Sequence, residues 1–327
     1  MTSPTAQQDQ PWPEQPAGPA RIDQRVTLLR LDGPDTLRFL HGQTSQALLQ
    51  ARPGQWLRTC CLTPTGRLRA LAEVLVEEGG AWLVITAGDG PVVRAALDRV
   101  LFPADDVRLG ELEEALLIQP LGASAGTWVS LEAGEGWLLG EQLLLREGHE
   151  PPSWLTALPP LAPEEVEVLR IRRGLPAVPG EINDDTNPFE LGLSPRVSLS
   201  KGCYAGQETL ARLATYDGVK QQLRRWHCPD SGVEIPAGAT LRTVTGERAG
   251  TITSALRLTP VPGMGAKGWI GLALIRRQAL EMDQLSVELP AGGVEPPVFL
   301  SISMPDDFMP PPVGAGGVSA GSPTAAS

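Results

Sequence analysis

The octapeptide KGCYAGQE, residues 201–208, gathers an amine, a thiol, a phenol and a carboxylate in one short stretch. Gly202 and Gly206 permit backbone geometry that other residues avoid, and the following QETLARL is rich in helix formers. Cys203 is therefore expected just ahead of a helix N-terminus, where amide N–H groups and the helix dipole favour a thiolate. Two hypotheses stay open: Cys203 has a chemical role, or it is an inert, buried cysteine in a turn that organises a binding cleft.

The rest of the chain offers Cys203 no evident catalytic or metal-binding partner. The other cysteines are Cys60, Cys61 and Cys228, and neither they nor the three histidines have the spacing of a metal site. GMGAKG at 263–268 fits the dinucleotide fingerprint, but it precedes a strand-like run and not a helix, which indicates a loop. The P-loop and G-x-S-x-G motifs do not occur in the sequence, so neither hydrolase class is supported.

Composition narrows the class of protein. The 327 residues are 42% hydrophobic and 20% charged, an ordinary globular composition with room for two or three domains. The net charge of −11 argues against direct nucleic-acid binding. Residues 1–20 lack the apolar core of a signal peptide and are expected to be a disordered leader, and residues 306–327 a disordered tail. No apolar stretch reaches the ~20 residues of a membrane helix, so a cytoplasmic protein with reduced thiols is expected.

The pattern of residues 21–108 predicts a first α+β domain. A strand-like run at 26–31 is followed by a helix with Leu37, Leu40 and Leu48 on one face. Apolar stretches separated by TPTG and EEGG then indicate antiparallel hairpins, and GPVVRAALDRVLF has helical spacing.

Two further domains are expected. A second α+β domain, 109–218, includes the strand candidate GTWVSL and the helix in APEEVEVLRIRRGLP, which has glutamates at its start, arginines at its end and Gly174 as a stop. Short strand-like segments separated by Gly and Pro in 219–305 predict a small β-barrel or sandwich. Arg224 and Arg225 are expected on its solvated surface, and contact of this arginine cluster with an anionic partner is the alternative.

KGCYAGQETLAR resembles the signature of the YgfZ proteins, a folate-binding family related to aminomethyltransferase T (GcvT) of the glycine cleavage system. Similar motifs occur in the same order elsewhere: FLHGQTSQALL, CLTPTGRLRALAEVLV, LRIRRGLPAVPGEINDDTNPFELGL and GERAGTITSAL. Together they cover nearly all of residues 21–305. The resemblance implies a three-domain α+β fold, two α+β domains plus a C-terminal β-barrel, around a central channel that binds tetrahydrofolate.

The resemblance also implies the residues of a site. Cys203 is the functional thiol, and Glu190 in PFELGL matches the acidic position that meets the pterin of folate. The other implied cofactor-binding residues are Lys201, Tyr204, Gln207, Glu208 and Arg212. The chemistry agrees, because a carboxylate pairs bidentately with pterin N–H donors and arginines suit the glutamyl tail.

YgfZ-type proteins support assembly or repair of iron-sulfur enzymes, including one that thiomethylates tRNA. The resemblance therefore implies iron-sulfur assembly factors or client enzymes as partners, and a monomer is expected. The alternative is a folate-dependent, aminomethyltransferase-like one-carbon transferase. Aminomethyltransferases carry acids after the glycine turn of the first hairpin, where this chain has Ala70 and Leu71, and Glu73 falls elsewhere in the strand alternation. This departure favours the accessory factor, and a binding module with an inert thiol is a third hypothesis.

Overall fold

The structure is a computed structural model, and it describes Trp12 and residues 18–122, 136–229, 232–258, 268–289 and 297–314. Several expectations lie outside the described residues: the leader other than Trp12 and residues 18–20, the strand in GTWVSL, the loop GMGAKG up to residue 267, and the tail beyond 314. Trp12 itself is buried. No helix in the described ranges is long and apolar enough to cross a membrane.

Seven antiparallel strands form one sheet in the first half of the chain. They are β1 (Ala20–Asp32), β2 (Trp56–Leu62), β3 (Leu68–Glu77), β4 (Gly80–Gly88), β5 (Arg108–Leu121), β6 (Gly136–Leu139) and β7 (Gln142–Arg146), in the order β2-β3-β4-β1-β5-β7-β6. The predicted boundary at 108/109 falls at the start of β5, which pairs with β1 along its length. The sheet is thus continuous across that boundary, and the domain division stays a prediction.

Side-chain alternation gives this sheet two buried faces. Cys60 packs with Phe189 and Tyr204 in one hydrophobic cluster, whereas the adjacent Cys61 packs with Leu40 in another. Successive residues of a strand point to opposite faces, so the two thiols are separated by the sheet.

Five α-helices lie within the described residues: α1 (Thr36–Gln43), α2 (Gly90–Arg99), α3 (Ser153–Thr156), α4 (Pro163–Arg173) and α5 (Gln207–Thr215). The helix predicted to reach Leu48 ends at Gln43. Thr44 has an extended backbone, and both its N–H and its hydroxyl donate to the carbonyl of Leu40, which closes the last turn. Leu48 is still buried, but from the loop that follows.

Helix α4 is confirmed, including both of its ends. Pro163 occupies the first turn, and Glu165 Oε2 accepts the N–H of Ala162 at 2.8 Å, which satisfies one of the unpaired amides there. Gly174 ends the helix with φ +74°, the left-handed geometry that favours glycine.

The C-terminal half forms a closed six-stranded barrel, which confirms the predicted barrel. Its strands are β8 (Gln221–Pro229), β9 (Thr240–Arg242), β10 (Arg248–Leu258), β11 (Gly268–Arg276), β12 (Gln284–Glu288) and β13 (Phe299–Ser303), in the order β10-β11-β8-β13-β12-β9. Trp226 fills the interior beside Gly271, where a Cβ would lie 2.6 Å from the indole and 1.9 Å from the carbonyl oxygen of Ser254.

The predicted disordered tail is wrong for the segment directly after the barrel. Residues 305–309 form an ordered strap across the molecule. Asp306 and Asp307 pair with three arginines of α4 and β8, at 2.7 Å each: Arg172, Arg173 and Arg225. Phe308 is buried against Gly192, and the Arg224 guanidinium lies 5.1 Å from its ring centre. Arg224 is therefore buried, not solvated as expected.

Candidate functional site

The signature loop packs against the turn between β2 and β3. Gly206, with φ +80°, precedes α5, and a Cβ there would lie 2.7 Å from the Cα of Gly66. Only glycine permits this close approach in that conformation. Cys203 is exposed ahead of the helix, so the hypothesis of a buried cysteine is wrong.

Lys201 extends into the protein interior. Its Nζ donates to the carbonyl oxygens of His41, Thr44 and Gln46, where α1 ends, and lies 4.4 Å from the centre of the Tyr204 ring. Burial lowers the pKa of this ammonium to about 7.

The other signature side chains divide between interior and solvent. Tyr204 is buried, its hydroxyl has no hydrogen-bond partner among the described residues, and burial raises its pKa. Gln207 is half-buried at the start of α5. Glu208 and Arg212 face solvent, with their charged groups 3.9 Å apart and side chains 89% and 73% exposed. Tyr204 is thus committed to the interior, whereas Glu208 and Arg212 are accessible to solvent.

Glu190 lies in a cleft of about 730 Å³ between the two halves of the molecule, here named the Glu190 cleft. Its lining comprises Arg67, Asp185, Glu190, residues 217–221 and residues 276–278. A volume of this size is in the usual range for a small-molecule or cofactor site.

The Glu190 carboxylate is buried but only partly neutralised. Its Oε2 accepts the N–H of Asn187 at 3.0 Å, and the side chain of Gln221 also donates to it. The guanidinium of Arg67 lies 4.0 Å away. Burial raises the pKa of Glu190, against the opposing effects of these donors and of Arg67. A ligand with paired N–H donors would favour the charged carboxylate.

The open end of the Glu190 cleft is basic. Lys220 and Arg276 are exposed, and neither side chain has a hydrogen bond or ion pair to another residue in the described ranges. Arg277 is instead held by Asp217, through both its carboxylate and its carbonyl. The cleft thus runs from a buried acid to two cations that are available to an anionic ligand.

A second cleft, of about 650 Å³, adjoins the first and shares Asp185 and Gln221 with it. Its floor is an ion-pair network in which Arg170 binds Glu167 bidentately at 2.7 Å and the buried Glu181 at 3.2 Å. This arrangement is preformed, because the Glu181 oxygens accept hydrogen bonds from Arg170, Ser254 and the backbone of Ala177.

Glu190 is the predicted site residue that lines a cleft. The residues predicted from the signature, Lys201, Cys203, Tyr204, Gln207, Glu208 and Arg212, line neither of these two clefts. Sequence reasoning missed Arg67 and Arg276 as cleft residues. The available signal was weak: Arg67 follows the TPTG turn, and Arg276 is the penultimate residue of the strand-like run WIGLALIRR.

The two positions where aminomethyltransferases carry acids hold buried apolar side chains in this chain. Ala70 and Leu71 are buried on opposite faces of β3. Glu73 shares the face of Leu71, contrary to the expected alternation, but its carboxylate is buried beside Arg58 and Arg196 with one oxygen unpaired. Burial raises the pKa of Glu73. No group of three or more metal-ligating side chains occurs in the described residues.

No protein-family model matches the chain. The chain is 27% identical to the tRNA-modifying protein YgfZ of Klebsiella pneumoniae over 75% of this chain and 85% of that protein. The chain is similar to the YgfZ proteins. It is also 29% identical to a putative chloroplastic transferase of Arabidopsis thaliana, At1g60990, over 77% of this chain. It spans 63% of the length of that relative.

The fold of the chain is that of an aminomethyltransferase. The crystal structure of the glycine cleavage system aminomethyltransferase T from Bartonella henselae matches with a TM-score of 0.68 and 18% identity, over 91% of this chain and 88% of that one. The resemblance inferred from KGCYAGQETLAR and the predicted fold class are therefore confirmed.

Proposed function

We propose that this chain is a tetrahydrofolate-binding accessory protein that supports assembly or repair of iron-sulfur enzymes, with Cys203 as its functional thiol. The observation that carries the folate proposal is the Glu190 cleft, which joins a buried carboxylate to two unpaired cations, Lys220 and Arg276.

The polarity of the Glu190 cleft matches the polarity of folate. The pterin presents adjacent N–H donors, which a carboxylate accepts in a bidentate pair, and the opposite end of folate carries glutamyl carboxylates. Burial acts against the charged form of Glu190, and the N–H donors of a pterin would favour that form. The glutamyl carboxylates then face Lys220 and Arg276 at the open end.

The accessory role draws on the similarity to YgfZ of Klebsiella pneumoniae, which is named as a tRNA-modifying protein. The net charge of −11 disfavours direct contact with tRNA, so we assign the effect on tRNA to an iron-sulfur client enzyme. The exposed position of Cys203 supports a role at a partner protein, because an exposed thiol is accessible to one.

A one-carbon transferase is the second candidate, favoured by the Arabidopsis relative's description as a putative transferase and by the aminomethyltransferase fold. The buried, apolar Ala70 and Leu71 disfavour it, because they leave no acid at the expected position. Aminomethyl transfer from a lipoyl carrier protein to tetrahydrofolate, assayed with purified protein, would identify this activity.

The test of folate binding is titration calorimetry with 5-formyltetrahydrofolate, a stable reduced folate. Glu190→Gln is expected to weaken binding about 10- to 100-fold, since a charge-assisted hydrogen bond contributes about 1.5–3 kcal/mol. Glu111→Gln, at a side chain that is 93% exposed, is the matched control and should bind like the unmodified protein. Equal affinities for all three proteins would refute the assignment of Glu190.

The role of the thiol needs a separate test in cells that lack the protein. Cys203→Ser should fail to restore iron-sulfur enzyme activity while keeping folate affinity. Full restoration would remove the thiol from the proposal and leave a folate-binding module.

A further inference from the structure

The surroundings of Lys201 are those of a structural clamp. An ammonium has three N–H donors, and Lys201 Nζ donates to three backbone carbonyls, those of His41, Thr44 at 2.6 Å and Gln46 at 2.9 Å. The Tyr204 ring covers the ammonium from another side. All the donors are committed inside the protein, and none is left for a ligand.

A second hydrogen bond joins His41 and Lys201, with His41 as the donor. His41 Nε2 lies 2.8 Å from the carbonyl oxygen of Lys201, and His41 Nδ1 accepts the N–H of Leu48 at 3.1 Å. Because Nδ1 accepts, the ring proton is on Nε2, which therefore donates to Lys201. His41 and Lys201 are thus joined by two reciprocal hydrogen bonds.

Two backbone hydrogen bonds flank this clamp. The N–H of Ser198 donates to Ser45 at 2.9 Å, and the N–H of Ala205 donates to Gly42 at 3.0 Å. Between the anchors at Lys201 and Ala205, Gly202 has φ +88° and open space around it, and Cys203 is exposed. The thiol is therefore carried on a short loop whose two ends are fixed to the C-terminal end of α1.

We propose that Lys201 is a positioning residue, which ties residues 198–205 to the end of α1 and so fixes the loop that presents Cys203, and that it does not contact folate. The inference rests on the proposed function only for the cellular role of Cys203. It replaces the cofactor-binding role that the signature implies for this lysine.

The clamp is strongest when the amine carries its proton. The carbonyls at the end of α1 favour a cation, while burial acts against the charge and lowers the pKa of Lys201 to about 7. A neutral amine has one N–H fewer and turns a lone pair toward a carbonyl. Of its titratable neighbours, His41 has an Nδ1 that accepts the N–H of Leu48, and burial raises the pKa of Tyr204.

The unmodified protein allows a direct test, because the chain has only three lysines, Lys201, Lys220 and Lys267. Amine acetylation followed by peptide mass spectrometry, with and without 5-formyltetrahydrofolate, compares them. We expect Lys201 to react at least tenfold more slowly than Lys220 in both conditions, and the folate to protect Lys220. Fast labelling of Lys201 that folate suppresses would overturn the proposal.

A matched pair of variants separates positioning from binding. Lys201→Met should keep folate affinity within twofold, speed hydrogen exchange at the Ser198 and Ala205 amides at least tenfold without changing exchange in β1, and fail to restore iron-sulfur enzyme activity. Lys220→Met should weaken folate binding and leave exchange at those amides unchanged.

The outcomes distinguish the two proposals. A tenfold loss of folate affinity in Lys201→Met with unchanged exchange at Ser198 and Ala205 would contradict the positioning role. If Lys201→Met does not fold, the labelling comparison in the unmodified protein still decides. If Cys203→Ser restores iron-sulfur enzyme activity in the cells, the proposed thiol role fails. Amine acetylation and amide hydrogen exchange still test the clamp in that case.

Discussion

Glu190 and Arg67 face each other across the Glu190 cleft at 4.0 Å, too far apart for a hydrogen bond. The Arg67 guanidinium donates instead to the carbonyl oxygen of Asp185 at 2.6 Å. The protein thus keeps the buried carboxylate only partly compensated. That incomplete pairing lets a ligand with N–H donors gain affinity at Glu190, and it has a measurable effect on stability.

The first prediction concerns pH. Burial raises the pKa of Glu190 above its ordinary 4.5, so between that value and the raised pKa the folded protein binds more protons than the unfolded chain. The contribution of Glu190 to the free energy of unfolding therefore falls as pH rises through this window. Without folate, Glu190→Gln should be at least as stable as the unmodified protein at pH 7, and the difference should shrink toward pH 4. Urea unfolding across this range, with Glu111→Gln as control, tests the sign; a variant less stable at pH 7 than at pH 4, relative to the unmodified protein, would contradict it.

The second prediction concerns the basic end of the Glu190 cleft. Lys220→Gln and Arg276→Gln should each weaken tetrahydrofolate binding about two- to fivefold, the size of an exposed charge pair, and reduce its dependence on salt. Tetrahydropteroate, which lacks the glutamate, should bind both variants and the unmodified protein equally. Arg108→Gln, at an 83% exposed side chain, is the control. An equal loss of affinity for tetrahydropteroate would show that these cations act elsewhere on the ligand.

The third prediction concerns the thiols. Of the four cysteines, Cys203 is exposed and the others are buried. Burial raises the pKa of Cys60 to about 11 and that of Cys61 to about 12, which further suppresses their reactivity. A disulfide reagent should titrate one thiol in the native protein, four in denaturant and none in native Cys203→Ser. More than one fast native thiol would contradict the burial of the others.

The fourth prediction concerns the strap after the barrel. Phe308→Ala should lower the free energy of unfolding by about 3 kcal/mol, the cost of removing a buried aromatic side chain. Met309→Ala, at an adjacent side chain that is 51% exposed, should change it by less than about 0.5 kcal/mol. Chemical denaturation measures both. Similar values for the two variants would mean that Phe308 does not hold the strap in solution.

Local signals in the sequence account for the elements that were predicted correctly. Helix α4 carries its own start, dipole charges and glycine stop, and the barrel strands are separated by Gly and Pro at regular intervals. The family signature supplied the fold class, because its motifs span most of the chain. The signals for the helix and for the barrel strands depend on residues close together in sequence.

The features that were missed depend on distant residues. Asp306 and Asp307 read as part of a polar tail, and they are ordered by Arg172 and Arg173, more than 130 positions earlier. Lys201 carries the features of a ligand-binding residue in the signature, but its partners are backbone carbonyls at the end of α1. Backbone acceptors leave no trace in the side-chain sequence, so no pattern at position 201 reveals them.

The strap also constrains the order in which the protein is completed during synthesis. Helix α4 and strand β8 emerge from the ribosome long before Asp306 and Phe308, which join them. A nascent chain can therefore form the seven-stranded sheet early, but the ion pairs and the aromatic contact that fasten α4 to the barrel must wait until Phe308 has been made. The contacts of the strap therefore form late, and until then Gly192 and Arg224 lack the aromatic ring of Phe308 that covers them.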